Sequence, residues 1–417
     1  MAPPQWIVSQ IGAREHYAVP RALTKQNRLA LLYTDAWCRH GRSLLQQGPA
    51  AVQSLANRYH PALPEDRVVS FTATALRHYL LAQLAGFQGR TARYFDHHIA
   101  VGKTFAKSVR EDLLSRQIDL DTSIFFGYNT GSLETLNALA STGCTTVVGQ
   151  IDPGRIEKEI VQEEVRRWPN WVDRPPSIYE PFETRIQKEW EAADLVVVNS
   201  KWSQEALVQQ GVDAAKICVV PLAYSAPSET EPVSIPRISK NRPLRVLWLG
   251  SVILRKGIPY LVEAAHRLQG LPIQFDIVGP IGVSEEAVAD APPSVRFHGR
   301  VPRDEATSWY SSADVFVLPT LSDGFAITQL EAMAHGLPVI ATPRCGQVVS
   351  DGESGFIIPV RDADALADAL ASLIEEPNQI GEMSRCALQT VQNFSLNRVS
   401  SLLIDTVSGF STDYISS

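Results

Sequence analysis

The stretch Asp314-Val-Phe-Val-Leu-Pro-Thr-Leu-Ser-Asp-Gly-Phe-Ala-Ile-Thr-Gln-Leu-Glu-Ala-Met-Ala-His-Gly-Leu-Pro-Val-Ile-Ala-Thr342 decides the fold. Asp314 to Pro319 is a short apolar run with the composition of a buried strand. Thr328 to His335 reads as a helix, Gly336 stops it, and Pro338 to Thr342 is the next strand. Strand, turn, helix and strand in so short a span predict a parallel βαβ unit.

The same alternation extends outward. Upstream, strands are predicted at Leu244–Gly250, Ile273–Gly279 and Ser294–Gly299, with helices at Pro259–Leu268 and Asp304–Ser311. Downstream, Asp362–Glu375 is an amphipathic helix. The first half is less regular, with strands expected near Trp6–Gln10, Arg28–Tyr33, Ser123–Gly127, Thr145–Gly149 and Leu195–Asn199. Residues 153–192 form a charged, tryptophan-bearing segment read as mostly helical and partly exposed. Ser225 to Pro243 is rich in Pro and Ser without a hydrophobic period, which suits an interdomain linker.

Composition narrows the function classes. The chain has 417 residues, 45% hydrophobic and 20% charged, enough apolar material for two or three cores. Cysteines at 38, 144, 218, 345 and 386 form no CxxC pair, so neither a disulfide framework nor a zinc site is expected, and a reducing compartment fits. No signal peptide and no spanning helix are read, so the expectation is a cytoplasmic protein. Residues 1–225 carry 24 Lys+Arg against 23 Asp+Glu, leaving 14 against 22 in the remainder. The acidic second half argues against nucleic acid as partner. The neutral first half leaves open a peripheral contact with the inner face of a membrane.

Two constellations can carry chemistry. In the first, Asp323 precedes a helix containing Glu331, and a helix N-terminus offers free N–H groups to phosphate. Eight residues of helix span about 12 Å, too far for both carboxylates to act on one bond, but suited to gripping two ends of one elongated ligand. The plainer alternative is that Asp323 caps the helix and Glu331 is solvated. In the second, Leu249-Gly-Ser-Val-Ile-Leu-Arg-Lys-Gly257 places Arg255 and Lys256 beyond a strand end, where open α/β sheets bind ligands and where cations can neutralise a diphosphate. A solvated loop is the alternative.

Taken together, these segments resemble the large retaining glycosyltransferase family (family 4) that includes sucrose synthases and bacterial mannosyl- and glucosyltransferases. The resemblance runs from about Asp194 to Thr342 and more loosely to Phe394. It includes Ala193-Asp-Leu-Val-Val-Val-Asn-Ser200, Lys216-Ile-Cys-Val-Val-Pro-Leu222, Val295-Arg-Phe-His-Gly-Arg-Val301 and Gly346-Gln-Val-Val-Ser-Asp-Gly-Glu-Ser-Gly-Phe356. It implies the α/β GT-B fold, two facing Rossmann-like domains with a cleft between them. Residues 1–224 would form the acceptor-side domain, with a final helix 395–417 crossing back to it, and residues 243–394 the donor domain. It implies transfer of a hexosyl unit from a nucleotide diphosphate sugar to a carbohydrate or glycolipid acceptor, with retention and without metal or other cofactor.

The resemblance also assigns roles. Asp323 would hold donor-sugar hydroxyls and Glu331 the ribose. Lys256, aided by Arg255, would meet the phosphates beside Gly250 and Ser251. Backbone groups of Gly324, Phe325, Ala326, Ile327 and Thr328 would meet sugar and phosphates, and His298, Gly299 and Val301 would lie beside the base. Three departures stand out. Asp323 replaces the usual Glu, Ser251 the usual Arg, and the first domain's histidine has no evident counterpart near Phe125–Asn129. Candidates there are Gly12, Arg14, His16 and Tyr128, with His97 and His98 as acceptor-side groups. The missing histidine keeps open an inert nucleotide-sugar-binding paralogue. Trp168 to Trp171, with Arg166 and Arg167, is either a membrane- or acceptor-facing surface or an ordinary amphipathic turn.

Overall fold

The computed structural model describes residues 3–41, 45, 47, 55–85, 92–172, 177–225, 235–302 and 305–415. Two sheets organise the chain. The first holds β1 (Gln5–Gln10), β2 (Leu29–Thr34), β3 (Val68–Ser70), β4 (Ser123–Tyr128), β5 (Thr145–Gln150), β6 (Leu195–Val198) and β7 (Ile217–Val219), in the order 3-2-1-4-5-6-7. The second holds β8 (Leu244–Leu249), β9 (Ile273–Val278), β10 (Val295–Gly299), β11 (Val315–Leu318), β12 (Val339–Ala341) and β13 (Gly355–Ile357), in the order 10-9-8-11-12-13. All pairings within both sheets are parallel. This is the expected α/β, GT-B architecture.

The strands form because their apolar runs can be covered on both faces. Phe316, Val317 and Trp248 are fully buried, each stabilising the fold by about 1.5–3 kcal/mol. Strand order reverses between β1 and β4, and between β8 and β11. Those switch points open a crevice beyond the strand ends, which places the site.

The predicted strands lie within a residue of their expected bounds. Three short ones, β3, β7 and β13, were not predicted, nor were the helices Thr72–Ala85 and Ala92–Ser115. The expected helix start, Asp304, lies outside the described residues, and the helix is seen at Ala306–Ser312. Within the expected linker, residues 226–234 lie outside the described residues. Beyond them, Arg242 anchors the chain by donating to the buried Asp314 carboxylate (Nη2–Oδ1 2.7 Å). The final helix, Leu396–Ile415, lies on the first sheet's core through Leu403, Ile404 and Val407, and Tyr224 N–H donates to Phe394 O (2.8 Å) where the two connections cross.

The segment after β5 is mostly helical and partly exposed, as expected, but its docking partner could not be read from the sequence. Helix Arg155–Arg167 leaves the first sheet and docks on the second domain. Tyr260 donates to Glu164 (2.7 Å), and Arg361 grips Glu163 (2.8 Å) and Glu164 (2.6 Å). Trp171 is only 7% exposed and belongs to the core around Trp248 and Leu261. Trp168 meets Tyr260 edge-on at 5.8 Å, and Ser284 N–H donates to Trp171 O (2.9 Å). The tryptophan rings of the turn therefore point into the protein, while Arg166, Arg167, Pro169 and Asn170 are exposed. Its apolar rings are spent on joining the two domains.

Candidate active site

The two constellations meet at the C-terminal ends of β8 and β11. The β8 loop closes on the 3₁₀ turn Leu254–Lys256 and Gly257, whose φ is +73°. A Cβ at Gly257 would lie 1.8 Å from the Pro319 carbonyl oxygen, so only glycine lets the loop approach β11 this closely. Leu321 N–H and Thr320 Oγ1 both donate to Arg255 O (2.9 and 3.1 Å), which fixes the register between the loops.

This brings three predicted residues together. Lys256 Nζ pairs directly with Asp323. Arg255 reaches Asp323 (3.5 Å), Ser322 O (2.9 Å) and, from the other domain, Glu157 (3.1 Å). Burial pushes the Asp323 carboxyl up, but Lys256 and Arg255 outweigh it and hold it below the usual range. Glu157 shows the opposite balance. Burial raises it to about 7, Arg255 only partly offsets this, and Asp152 and Asp323 add to it.

The helix after Asp323 runs Ile327–Ala334 with Ala326 as N-cap and no side-chain cap. Asp323 thus caps nothing, because its carboxylate is spent on the cations. Glu331 is half-buried, and its Oε2 accepts from Tyr310 OH (2.8 Å). The Tyr310 ring stacks on His335 at 5.1 Å, and His335 Nδ1 bonds to Glu331 O (2.8 Å). Asp323 and Glu331 therefore occupy two differently supported positions, as two grips on an elongated ligand require. Of the loop amides, Ala326 N–H donates to Cys345 O (2.9 Å). Phe325 is buried. His298 bonds to Asp276 (2.8 Å) with its ring 4.4 Å from Trp309, beside the open Gly299 and half-buried Val301. Gly250 N–H is tied to Val278 O (2.9 Å), and Ser251 is exposed.

The first domain presses on this cluster at Gly324, where a Cβ would stand 2.0 Å from Ile151 O and 3.1 Å from Asn199 Nδ2. Trp202 Nε1 donates to Ser322 Oγ (3.0 Å), and Arg344 stacks over the Trp202 ring at 4.2 Å.

First-domain candidates divide. Gly12, with φ +94°, donates its N–H to Asp35 (2.8 Å), and Arg14 lines the cleft. Tyr128 does not face the cleft. Its OH donates to Glu15 (3.4 Å) beside a cavity of about 50 Å³ lined also by Leu396 and Ser400 of the final helix. Burial raises Glu15 to about 7. His16 sits with Glu15 and Tyr17 in a run of three left-handed residues, its carbonyl taking Arg21 (3.3 Å). His97 meets His78 edge-on at 5.8 Å, the His98 ring lies tilted against Tyr94 at 4.3 Å, and Asp96 accepts from Tyr179 (2.6 Å). Among the described residues no group of three His, Cys, Asp or Glu is placed to hold a metal, and no helix is long and apolar enough to cross a membrane.

Sequence reasoning missed Asp152, Glu157, Asn199, Trp202 and Tyr310. For Asp152 and Glu157 a signal exists: Asp152-Pro-Gly opens a helix directly after β5, at a sheet's C-terminal edge.

Comparison with known proteins agrees with this geometry. Residues 243–376 match the family model for glycosyl transferases group 1. An Arthrobacter D-inositol 3-phosphate glycosyltransferase is 30% identical over 185 residues, 41% of this chain and 44% of the relative. A Mycolicibacterium smegmatis phosphatidyl-myo-inositol mannosyltransferase is 30% identical over 250 residues, 56% of this chain and 60% of the relative. The chain thus spans about half the length of the curated relatives it matches. Sucrose-phosphate synthase from Thermosynechococcus elongatus superposes with a TM-score of 0.65 at 18% identity, covering 99% of this chain and 100% of that one. Residues 243–376 are thus similar to the group 1 glycosyl transferases, and the chain as a whole shares the two-sheet α/β, GT-B architecture of the superposed synthase.

Proposed function

We propose that the chain moves a hexosyl unit from a nucleoside diphosphate sugar to an acceptor hydroxyl, with retention, in polysaccharide or glycolipid assembly. The observation that carries this reading is the Lys256–Asp323–Arg255 cluster at the β8 and β11 ends, with Glu331 held separately by Tyr310.

Lys256 and Arg255 take the diphosphate, Asp323 takes sugar hydroxyls, Glu331 takes the ribose, and His298 and Trp309 flank the base. As the bond from the anomeric carbon to the phosphate oxygen breaks, its electron pair leaves with the diphosphate, where the two cations stabilise it. The acceptor oxygen bonds to the same face of the carbon, and its proton passes to the departing phosphate oxygen. The reading invokes no metal and no other cofactor.

Lys256→Ala and Glu331→Ala are the test. Both are expected to stay folded and to lose most of the transfer rate, by about a hundredfold or more for Lys256→Ala. Wild-type rates in both would overturn the assignment.

A further inference from the structure

Glu157, on the helix that follows β5, reaches across the domain interface. Arg255 Nη1 (3.1 Å) and Ser322 Oγ (3.2 Å) both donate to its Oε2. The same Arg255 Nη1 donates to Ser322 O (2.9 Å) and lies 3.5 Å from Asp323. A cation that the transferase reading assigns to the diphosphate is therefore already held by a carboxylate of the other domain. Glu157 also lines a pocket of about 220 Å³ in the first domain, so its carboxylate has an open side.

The domains do not depend on this bond. Arg361 grips Glu163 and Glu164, Trp171 is sunk in the core around Trp248, and Gly324 packs against Ile151. A half-buried ion pair costs desolvation that its attraction only roughly offsets. The local charge makes the pair less secure still. Arg255 and Lys256 face Asp323, Glu157 and Asp152, two cations against three carboxylates. Asp152 cannot turn away, because its Oδ1 accepts from Gln150 (3.1 Å) and from Gly154 N–H (2.8 Å). Lys158, next along the helix, is paired with Glu183, and Arg14 and His98 line the same pocket as Glu157. Burial, with Asp152 and Asp323, raises the Glu157 carboxyl to about 7, and Arg255 is the strongest influence holding it down.

We propose that Glu157 is a displaceable counter-ion of the donor site: an incoming diphosphate takes Arg255 from it, and the displaced carboxylate takes a proton from solvent. Both present bonds fall on Oε2, so Oε1 can carry the proton while Ser322 keeps its bond to the other oxygen. A carboxylate that has lost its cation and stands beside Asp152 and a diphosphate is stabilised by neutralisation. The nucleotide-bound protein then holds this proton more tightly than the free protein, so binding takes up a proton and strengthens as pH falls from 8 toward 6. The inference rests on the transferase reading for the identity of the ligand.

The test is calorimetric titration of the purified chain with UDP, GDP and ADP, in buffers of different ionisation enthalpy at one pH. The dependence of the heat on the buffer gives the protons exchanged per nucleotide bound. Wild type is expected to take up about half a proton more than Glu157→Gln at about pH 7.5. Comparing the two proteins removes whatever proton the nucleotide itself exchanges. Glutamine has the same shape and still accepts from Arg255, but it cannot titrate. Glu157→Gln is expected to bind the nucleotide about three- to tenfold more tightly than wild type at about pH 8, and within about twofold of it at about pH 6. A merely structural Glu157 would leave the proton count unchanged and weaken binding at both pH values. Equal proton counts, or weaker binding by the variant at pH 8, would therefore overturn the inference while leaving the transferase reading standing. Were the variant unfolded, the wild type still decides: net proton uptake supports the inference, and no uptake overturns it. Absence of nucleotide binding in both proteins would remove the donor site itself, and this inference with it.

Discussion

Gly324→Ala is a one-carbon change whose consequence follows from the contact between the domains. The added Cβ would stand 2.0 Å from Ile151 O, and ordinary contact begins near 3.4 Å, so the backbones must part by about 1.4 Å. Gly324 has no left-handed φ, so the backbone itself is not strained. The strain falls on the interface. Separation of that size would stretch Trp202–Ser322 (3.0 Å) and Arg255–Glu157 (3.1 Å) beyond hydrogen-bond range. Overpacking costs about 1–3 kcal/mol and each bond lost about 1 kcal/mol, part of which the opening relieves, so the net expectation is about 2–3 kcal/mol. Urea unfolding followed by tryptophan fluorescence reads this directly, since Trp202 sits at the contact. A lower midpoint with an altered native Trp202 signal is expected. A wild-type midpoint and spectrum would refute the reasoning, because the two backbones could not then be in contact.

Two further outcomes follow from the same structure. The Glu15 carboxyl is raised from 4.5 to about 7, so the folded state holds this proton more tightly than the unfolded chain across that window. Its contribution is greatest below about pH 4.5 and declines as pH rises to 7, and Glu15→Gln removes the slope. Relative to wild type, Glu15→Gln should gain about 2 kcal/mol in urea unfolding between pH 5 and 8, and a constant difference would contradict the assignment. Tyr310→Phe removes the donor to Glu331, and should weaken nucleoside diphosphate binding by about three- to tenfold in a calorimetric titration.

The second half was legible because its signals are local. Apolar runs such as Val246–Trp248 and Val315–Leu318 are buried on both faces, and Gly257, Gly336 and Pro338 punctuate them within a few residues. The pairing of Asp323 with Lys256 could be anticipated only through resemblance, since 67 residues separate them. Helix Thr72–Ala85 escaped because it is apolar on most sides and shows almost no helical period. Glu157 and Trp202 escaped for another reason. Their partners lie 98 and 120 residues away in the other domain, and no local pattern encodes that contact. The tryptophan turn at 168–171 displayed its apolar character plainly, but sequence cannot say whether such a stripe meets a membrane or a protein core. Here it meets the core around Trp248.

The most direct test of the central claim is a donor panel. The purified chain is incubated with UDP-, GDP- and ADP-sugars without acceptor, and released nucleoside diphosphate is measured beside Glu331→Ala. The account predicts slow release from one donor, lost in the variant. No release from any donor, together with no binding of the free nucleotides, would contradict the claim that the β8 and β11 loops form a nucleotide-sugar site.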